Sequence, residues 1–176
     1  MSQTPSPARR RALAAIGAVP LLLAGCGFQL RGPRPLPFES IYLGMYQYSD
    51  LAAAIRRQIR AGSETRIVET PEEAQVRLEV LADAKEKAIL ALNAQGRVRE
   101  YQLRQRFYFR VVDKAGREVL APNEIYLKRD LAFDDSQLLA KEQEELLLYR
   151  DMQGDLVQQL MRRLAAAKMP EAEPKP

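Results

Sequence analysis

Few side chains in this sequence could carry out covalent or acid–base chemistry. The chain has no histidine and one cysteine, Cys26, so it lacks the commonest general base and the commonest zinc ligand. Ser49, Ser63 and Ser136 have no histidine to activate them, and a lysine base would have to be buried beside one of them. We therefore predict no catalytic residue, no metal site and no cofactor. An enzyme built around a lysine or a carboxylate is the minority alternative.

Cys26 is the residue whose surroundings indicate a definite chemistry. Three arginines at positions 9–11 precede a mostly apolar stretch at residues 12–23, and two small residues lead into the cysteine. This order is typical of an export signal, which we assign to residues 1–25 and expect to be removed. Residues 23–26, LAGC, resemble the bacterial lipobox, in which the thiol is diacylated and the new amino group is acylated. The alternative is a free cysteine behind an ordinary signal peptide.

The acyl groups predicted on Cys26 would hold the protein at a membrane. Each buried methylene contributes about 0.8 kcal/mol, so two or three chains anchor firmly where one alone is marginal. Gly27 follows the cysteine, whereas aspartate at that place resembles an inner-membrane retention signal. We therefore predict an outer-membrane lipoprotein, exported by the general secretory route in preference to the twin-arginine route.

Basic residues alternate with apolar ones in the middle of the chain. Arg104, Arg106 and Arg110, with Tyr108 between them, take even positions opposite apolar residues at odd positions. The guanidinium group of arginine binds phosphates and carboxylates with paired hydrogen bonds, so this face could contact lipid phosphates or the surface of another protein. The alternative is plain solubility, because nearby acidic side chains could neutralise the charges. Lys141 forms an i,i+4 pair with a glutamate at the start of a long helical pattern, which favours a solvated helix face.

Composition and charge limit the class of protein. The chain has 176 residues, of which 47% are apolar and 28% are charged, and its net charge is +4. Without the three arginines of the signal, the 27 Lys and Arg residues fall to 24 against 23 Asp and Glu residues. A nearly neutral mature chain does not fit a protein that tracks nucleic-acid phosphates. No apolar run reaches the roughly 18 residues needed for a membrane-spanning helix.

The pattern of apolar residues predicts the elements that must position these side chains. Apolar residues recur at even positions over residues 75–92 and at odd positions over residues 101–111. Two long antiparallel strands joined as a hairpin follow from this period of two. A short strand at residues 40–45, a helix at residues 50–61 and a strand at residues 117–133, bulged near Pro122, complete the sheet and its first helix.

A second, longer helix is predicted to begin at Asp134 and Gln137, in a variant of the capping box, and to continue to about Ala167. Its apolar side comprises Leu138, Leu139, Leu146, Tyr149, Leu156, Leu160 and Leu164. The order of elements predicts an α+β fold: a two-layer sandwich with both helices on one face of a roughly four-stranded mixed or antiparallel sheet. We assign residues 26–38 to the lipidated cysteine and a proline-rich leash, residues 39–168 to one domain and residues 169–176 to a disordered tail.

Four segments resemble the LptE family of lipopolysaccharide-assembly lipoproteins. They are CGFQLRG at residues 26–32, EYQL at residues 100–103, LAKE at residues 139–142 and QQLMRRL at residues 158–164. Each segment alone is weakly specific, but together they cover the mature chain in the order and spacing of that family. Other accessory lipoproteins that face the periplasm, such as a phospholipid-transporter subunit or an activator of a cell-wall synthase, are the alternative.

The resemblance implies a function, partners and binding residues. Members of the family sit as a plug inside the outer-membrane β-barrel LptD, and together the pair delivers lipopolysaccharide to the cell surface. Lipopolysaccharide would be bound directly by basic residues at the tip of the hairpin and near the start of the last helix. Lys141 matches the second place. At the tip the chain has Ala94 and Gln95, with Arg97 and Arg99 just beyond. Arg104, Arg106 and Arg110 are further candidates, and no nucleic-acid partner is expected.

Overall fold

The computed structural model of the protein describes residues 35–170. The predicted signal peptide, the acylation site at Cys26 and most of the predicted leash and tail lie outside the described residues. The described chain forms one mixed sheet and two helices. In order, the elements are β1 (Ser40–Gly44), α1 (Asp50–Gly62), β2 (Arg66–Val68), β3 (Val76–Leu92), β4 (Val98–Asp113), β5 (Glu118–Ala132), a 3-10 turn (Asp135–Gln137) and α2 (Leu138–Ala166).

The sheet has five strands in the order β2-β1-β3-β4-β5. β1 runs parallel to β2 and β3, while β3, β4 and β5 are antiparallel neighbours. The predicted mixed sheet is confirmed, with one strand more than the four expected. The additional strand, β2, was not predicted because it has only three residues and shows no alternation. Gly44 at the end of β1 allows close approach to β3, since a Cβ atom there would lie 2.7 Å from the carbonyl oxygen of Leu78.

Both helices contribute to a single core on one face of the sheet. The hydroxyl of Ser49 accepts a hydrogen bond from the backbone N–H of Ala52 at 3.1 Å, so Ser49 is the cap of α1. The apolar stripe of α1, including Ile55 and Ile59, is fully buried against the odd-numbered residues of β4 and the second half of α2. The predicted two-layer α+β sandwich is therefore confirmed.

The alternation predicted for β3 is wrong beyond Val80. A β-bulge at Leu81 sets two residues of β3 against one of β4, because Val80 pairs with Phe109 while Ala82 pairs with Tyr108. An extra residue moves every later side chain to the other face of the sheet. Even-numbered residues of β3 from Ala82 to Ala88 therefore lie on the outer face, and the register shifts again beyond Ile89. The bulge predicted in β5 near Pro122 is confirmed, since Ala121 and Pro122 together stand opposite the single residue Arg110 of β4.

The long helix α2 is buried over only half of its length. Its buried residues begin at Met152 and end at Leu164, whereas Leu138, Leu139 and Leu146 are exposed, contrary to their predicted place on the apolar side. The reason is a difference in length: α1 has 13 residues and α2 has 29. At about 1.5 Å per residue, α1 can cover less than half of its neighbour. The first half of α2 extends beyond the core.

Candidate functional site

Three segments meet at the end of the molecule where α2 begins, which we call the distal end: residues 93–99 at the β3–β4 turn, residues 133–137 and the first turns of α2. Gly96 adopts a φ of +76° in the turn, and the Asn93 carboxamide oxygen accepts N–H bonds from Gln95 at 3.0 Å and Arg97 at 2.9 Å. The N–H of Phe133 donates to the carbonyl of Arg99 at 2.8 Å. The backbone thus fixes the tip of the hairpin against the segment that leads into α2.

Asp134 is the acidic residue of the segment that joins the hairpin tip to α2. Its carboxylate accepts hydrogen bonds from the backbone N–H of Ser136 at 2.9 Å and from the hydroxyl of Ser136 at 2.8 Å. These bonds, followed by the positive charges of Lys141 and Arg97, hold the pKa of Asp134 below its usual value. Arg97 and Lys141 come from elements more than 40 residues apart in sequence, and both act on this one carboxylate.

Asp134 also explains how the last helix begins, which differs from the prediction. The predicted capping box needs the side chain of Gln137 to bond back, but Gln137 makes no side-chain cap. Asp134 instead caps the short 3-10 turn that precedes α2. The carboxylate therefore begins the 3-10 turn that leads into α2.

Lys141 pairs with a different glutamate from the one its spacing predicted. Its ammonium group lies 2.9 Å from the carboxylate of Glu144, three residues on, and its side chain is 19% exposed. Glu145, the predicted partner, instead pairs with Lys87 of β3 at 2.6 Å. Lys141 keeps its stem covered and its charge at the surface, as long basic side chains commonly do.

The Lys87–Glu145 pair fixes the first half of α2 to the hairpin. The Lys87 ammonium also lies 4.3 Å from the ring centre of Tyr101, and that ring meets Phe133 edge-on at 5.1 Å. One turn further along α2, the hydroxyl of Tyr149 donates to the carbonyl oxygen of Glu86 at 2.9 Å. Burial, and then the charges of Glu145 and Glu86, raise the pKa of Tyr149. Polar contacts thus hold this part of the helix.

Arg97 and Arg99 are the exposed basic residues of the distal end. Both side chains are exposed, and neither guanidinium makes an ion pair with any residue in the range 35–170. Together with Lys141 they give the distal end three basic side chains. Exposed guanidinium groups without a protein partner can bind a phosphate or carboxylate group of a ligand with two parallel hydrogen bonds.

The three arginines of β4 occupy a different surface. Arg104, Arg106 and Arg110 lie on the outer face of the sheet, as their alternation predicts, away from both helices. Arg106 pairs with Glu124 at 2.6 Å and Arg110 pairs with Glu79 at 2.7 Å. Neighbouring carboxylates therefore neutralise two of the three charges, and the predicted role of these two arginines in binding a phosphate is not favoured.

The outer face carries a shallow polar cleft. Arg104 donates to the carboxamide oxygen of Gln102 at 2.9 Å, and Gln102 donates to Asp130 at 3.0 Å. Beside this chain of bonds the sheet opens into a cleft of about 310 Å³, floored by an alanine that the Leu81 bulge turns outward. The cleft is lined by Ala84, Glu86, Arg104, Arg106, Glu124 and Tyr126.

Sequence reasoning missed the acidic and aromatic residues of the distal end. Asp134 was assigned only to a helix cap, and Lys87 and Phe133 were given no role. Only the pairing of β3, β4 and β5 brings these residues beside Arg97 and Lys141. Within residues 35–170, no group of three or more acidic or cysteine side chains is placed to hold a metal ion. In the same range, no helix is long and apolar enough to cross a membrane.

The chain is similar to proteins of one family over most of its length. The model of the family described as LptE, lipopolysaccharide-assembly, matches residues 38–164. An LPS-assembly lipoprotein LptE from Yersinia enterocolitica is 31% identical over 158 residues, which cover 85% of this chain and 72% of that protein.

Two solved structures share the fold. The NMR structure of lipoprotein B from Nitrosomonas europaea is 37% identical, covers 80% of this chain and 91% of that one, and superposes with a TM-score of 0.69. The crystal structure of rare lipoprotein B from Shewanella oneidensis is 26% identical, covers 72% of this chain and 94% of that one, and gives a TM-score of 0.61. The range that matches the family model spans the hairpin tip and Lys141.

Proposed function

The chain belongs to the LptE family of lipopolysaccharide-assembly proteins, and on that premise we propose that it is an outer-membrane lipoprotein that binds lipopolysaccharide directly and plugs an LptD-type β-barrel. The protein is anchored through acyl groups on Cys26. It carries out no catalytic step, because moving an intact lipid along a path requires binding and release only. Its folded domain faces the periplasm and the lumen of the barrel.

The observation that carries the lipid-binding part of the proposal is the backbone hydrogen bond from Phe133 to Arg99, which joins the hairpin tip that holds Arg97 to the segment that leads into Lys141. Lipid A and the inner-core sugars of lipopolysaccharide bear phosphates and carboxylates, which arginine and lysine recognise through charge-assisted hydrogen bonds. Arg99 adds a third cation beside them. Asp134 limits the local charge, and the mature chain is nearly neutral, so the site can bind the anionic lipid and still release it.

The outer face of the sheet supports the proposed fit inside a barrel. A transmembrane barrel presents a polar interior, and the outer face offers a polar, charge-balanced surface of arginine, glutamate and tyrosine that no helix covers. Arg106 and Arg110 are already paired there, so burying them against a polar wall leaves no unpaired charge behind. This surface differs in character from the distal end, where Arg97 and Arg99 stay open.

Reversing the three distal charges tests lipid binding. We expect the triple variant Arg97→Glu, Arg99→Glu, Lys141→Glu to bind purified lipopolysaccharide at least tenfold more weakly, since each lost charged hydrogen bond costs about 1.5 kcal/mol or more. The melting temperature should stay nearly unchanged, because Arg97 and Arg99 are exposed and Lys141 loses only an ion pair with the exposed Glu144. Binding is measured with lipopolysaccharide dispersed in detergent.

The matched control reverses three exposed arginines elsewhere: Arg57→Glu, Arg60→Glu and Arg66→Glu, on α1 and β2, carry the same change in charge. The control should bind as the unaltered protein does. Equal losses of lipopolysaccharide affinity in the two triple variants would mean that binding depends only on the net charge of the protein. Unaltered binding by the distal variant would mean that lipopolysaccharide contacts another part of the protein. Both outcomes contradict the proposed site.

Affinity purification from solubilised outer membranes tests the partner. We expect the tagged protein to recover one large β-barrel, and Ala84→Arg, which fills the floor of the outer-face cleft, to reduce that recovery severalfold. Ala61→Arg, at an exposed position of α1, introduces the same side chain away from the outer face and should recover the barrel normally. Recovery of no barrel would refute the partnership, and normal recovery by Ala84→Arg would show that another surface contacts the barrel.

A further inference from the structure

Large aliphatic side chains are exposed at the distal end, next to the basic residues. At the end of β3, Ile89 is 60% exposed, and at the start of α2, Leu138 is 50% exposed. Neither residue belongs to the hydrophobic core. The part of α2 beside them has no buried side chain, since the buried residues of α2 begin at Met152. Single exposed aliphatic residues are common on protein surfaces and need no explanation. Here they come from two elements and border the same cationic group.

The contacts between β3 and α2 set the relative positions of these residues. The Lys87–Glu145 pair, at 2.6 Å, joins the two elements at one level. One turn of helix towards the distal end, about 6 Å, leads from Glu145 to Lys141. Two residues along the strand, about 6.6 Å, lead from Lys87 to Ile89 on the same face. Lys141 therefore lies level with Ile89, and Leu138 lies one further turn along.

This arrangement places exposed aliphatic side chains on both sides of Lys141. Lys141 is largely covered, whereas Ile89 and Leu138 on either side of it remain half exposed or more. Arg97 lies in the hairpin tip, which the backbone hydrogen bond from Phe133 to Arg99, at 2.8 Å, joins to the segment before α2. A sugar or a free phosphate would use the cations but not the aliphatic side chains. An anionic amphiphile, in which phosphate groups adjoin fatty acyl chains, would use both.

We propose that Ile89 and Leu138 form a shelf for the fatty acyl chains of the lipopolysaccharide whose phosphates Arg97 and Lys141 bind. The inference rests on the proposed function and specifies which part of the ligand the site takes: the acylated, phosphorylated end of the molecule. The charges choose this occupant over a purely apolar one, because an uncharged partner would leave Arg97, which makes no ion pair within residues 35–170, without a counter-charge at the edge of the contact.

The first test needs no variant. Binding of the unaltered protein to intact lipopolysaccharide is compared with binding to the same lipopolysaccharide after alkaline removal of its acyl chains, with both ligands dispersed in detergent. We expect the intact ligand to bind on the order of tenfold more tightly. Equal affinity for the two ligands would overturn the acyl shelf and leave the proposed function intact. Binding of neither ligand would overturn both.

The second test locates the shelf. We expect Ile89→Gln combined with Leu138→Gln to bind intact lipopolysaccharide several-fold more weakly and the deacylated ligand as the unaltered protein does. The matched control, Leu81→Gln with Leu147→Gln, changes one exposed aliphatic residue on each of the same two elements, away from the distal end, and should bind both ligands normally. Thermal unfolding of both variants checks that they fold.

Two outcomes of the second test would overturn the proposal. Equal losses in the two double variants would mean that exposed aliphatic surface in general, and not this shelf, contacts the lipid. Normal lipid binding by the distal variant with a reduced recovery of the β-barrel would assign Ile89 and Leu138 to a protein contact.

Discussion

Replacing Phe107 by alanine is expected to destabilise the fold by about 3–5 kcal/mol, because a fully buried aromatic side chain leaves a cavity that its neighbours cannot fill. Phe107 has no exposed surface and lies 5.4 Å from the ring of Phe109, between β3 and β5 and under the helices. A loss of this size is a large part of the stability of an ordinary domain. Unfolding in urea, followed by circular dichroism, measures it.

Tyr108→Ala is the matched control, since it removes an aromatic side chain from the next residue of the same strand. Tyr108 points to the outer face and is partly exposed, so its loss should cost about 1 kcal/mol or less. Similar losses at the two positions would contradict the assignment of odd-numbered residues of β4 to the core. A larger loss of stability at Tyr108 than at Phe107 would mean that the core and outer faces of the sheet are assigned the wrong way round.

The two long strands show where the alternation of apolar residues is a reliable guide. β4 keeps an unbroken alternation over residues 101–109 because neighbours on both sides hold its register. β3 loses its neighbour β1 after Glu79, and the bulge at Leu81 follows directly. Bulges concentrate at sheet edges, and where an edge begins depends on the length of another strand. The apolar residues at positions 81 and 89 were the local sign of the change of face.

Helix α2 shows a related difference between an element and its packing. Its length followed from the sequence, because the helical pattern continues through Gly154 to the predicted end. Which leucines are buried did not follow, because that depends on how far α1 extends beside it. Identical side chains, Leu146 and Leu156, lie on the same helix, one exposed and the other fully buried. Only the arrangement of both helices on the sheet separates them.

The candidate site also has one part that the sequence predicted and another that only the structure revealed. The resemblance to the family pointed to Lys141 and to the hairpin tip, and in the structure the segment that leads into Lys141 is hydrogen-bonded to that tip. Asp134 could not have been assigned to the site from spacing, since strand pairing alone brings it to the tip of the hairpin. For the β4 arginines, the alternation predicted their face but left open whether nearby carboxylates neutralise them. Glu79 pairs with Arg110, and the pairing of Arg106 with Glu124 depends on the register of β5.

Removing the predicted acylation site is expected to change the behaviour of the protein in an all-or-none manner. Cys26→Ala is expressed behind the cleavable signal peptide of a secreted protein, so that processing does not depend on the cysteine. The purified variant should have the mass of its polypeptide alone and should partition into the aqueous phase of a detergent phase separation. The unaltered protein should enter the detergent phase, because two or more acyl chains each bury many methylenes at about 0.8 kcal/mol apiece.

The same variant separates the anchor from the docking surface. Gly27→Ala keeps the thiol and should stay acylated, which makes it the control for a change at this part of the chain. If docking uses the surface of the folded domain, the unacylated protein should still recover the barrel from solubilised membranes. Loss of the barrel with Cys26→Ala but not with Gly27→Ala would make the lipid anchor part of the interface. An unmodified thiol in the unaltered protein would instead favour the free-cysteine alternative and refute the anchor altogether.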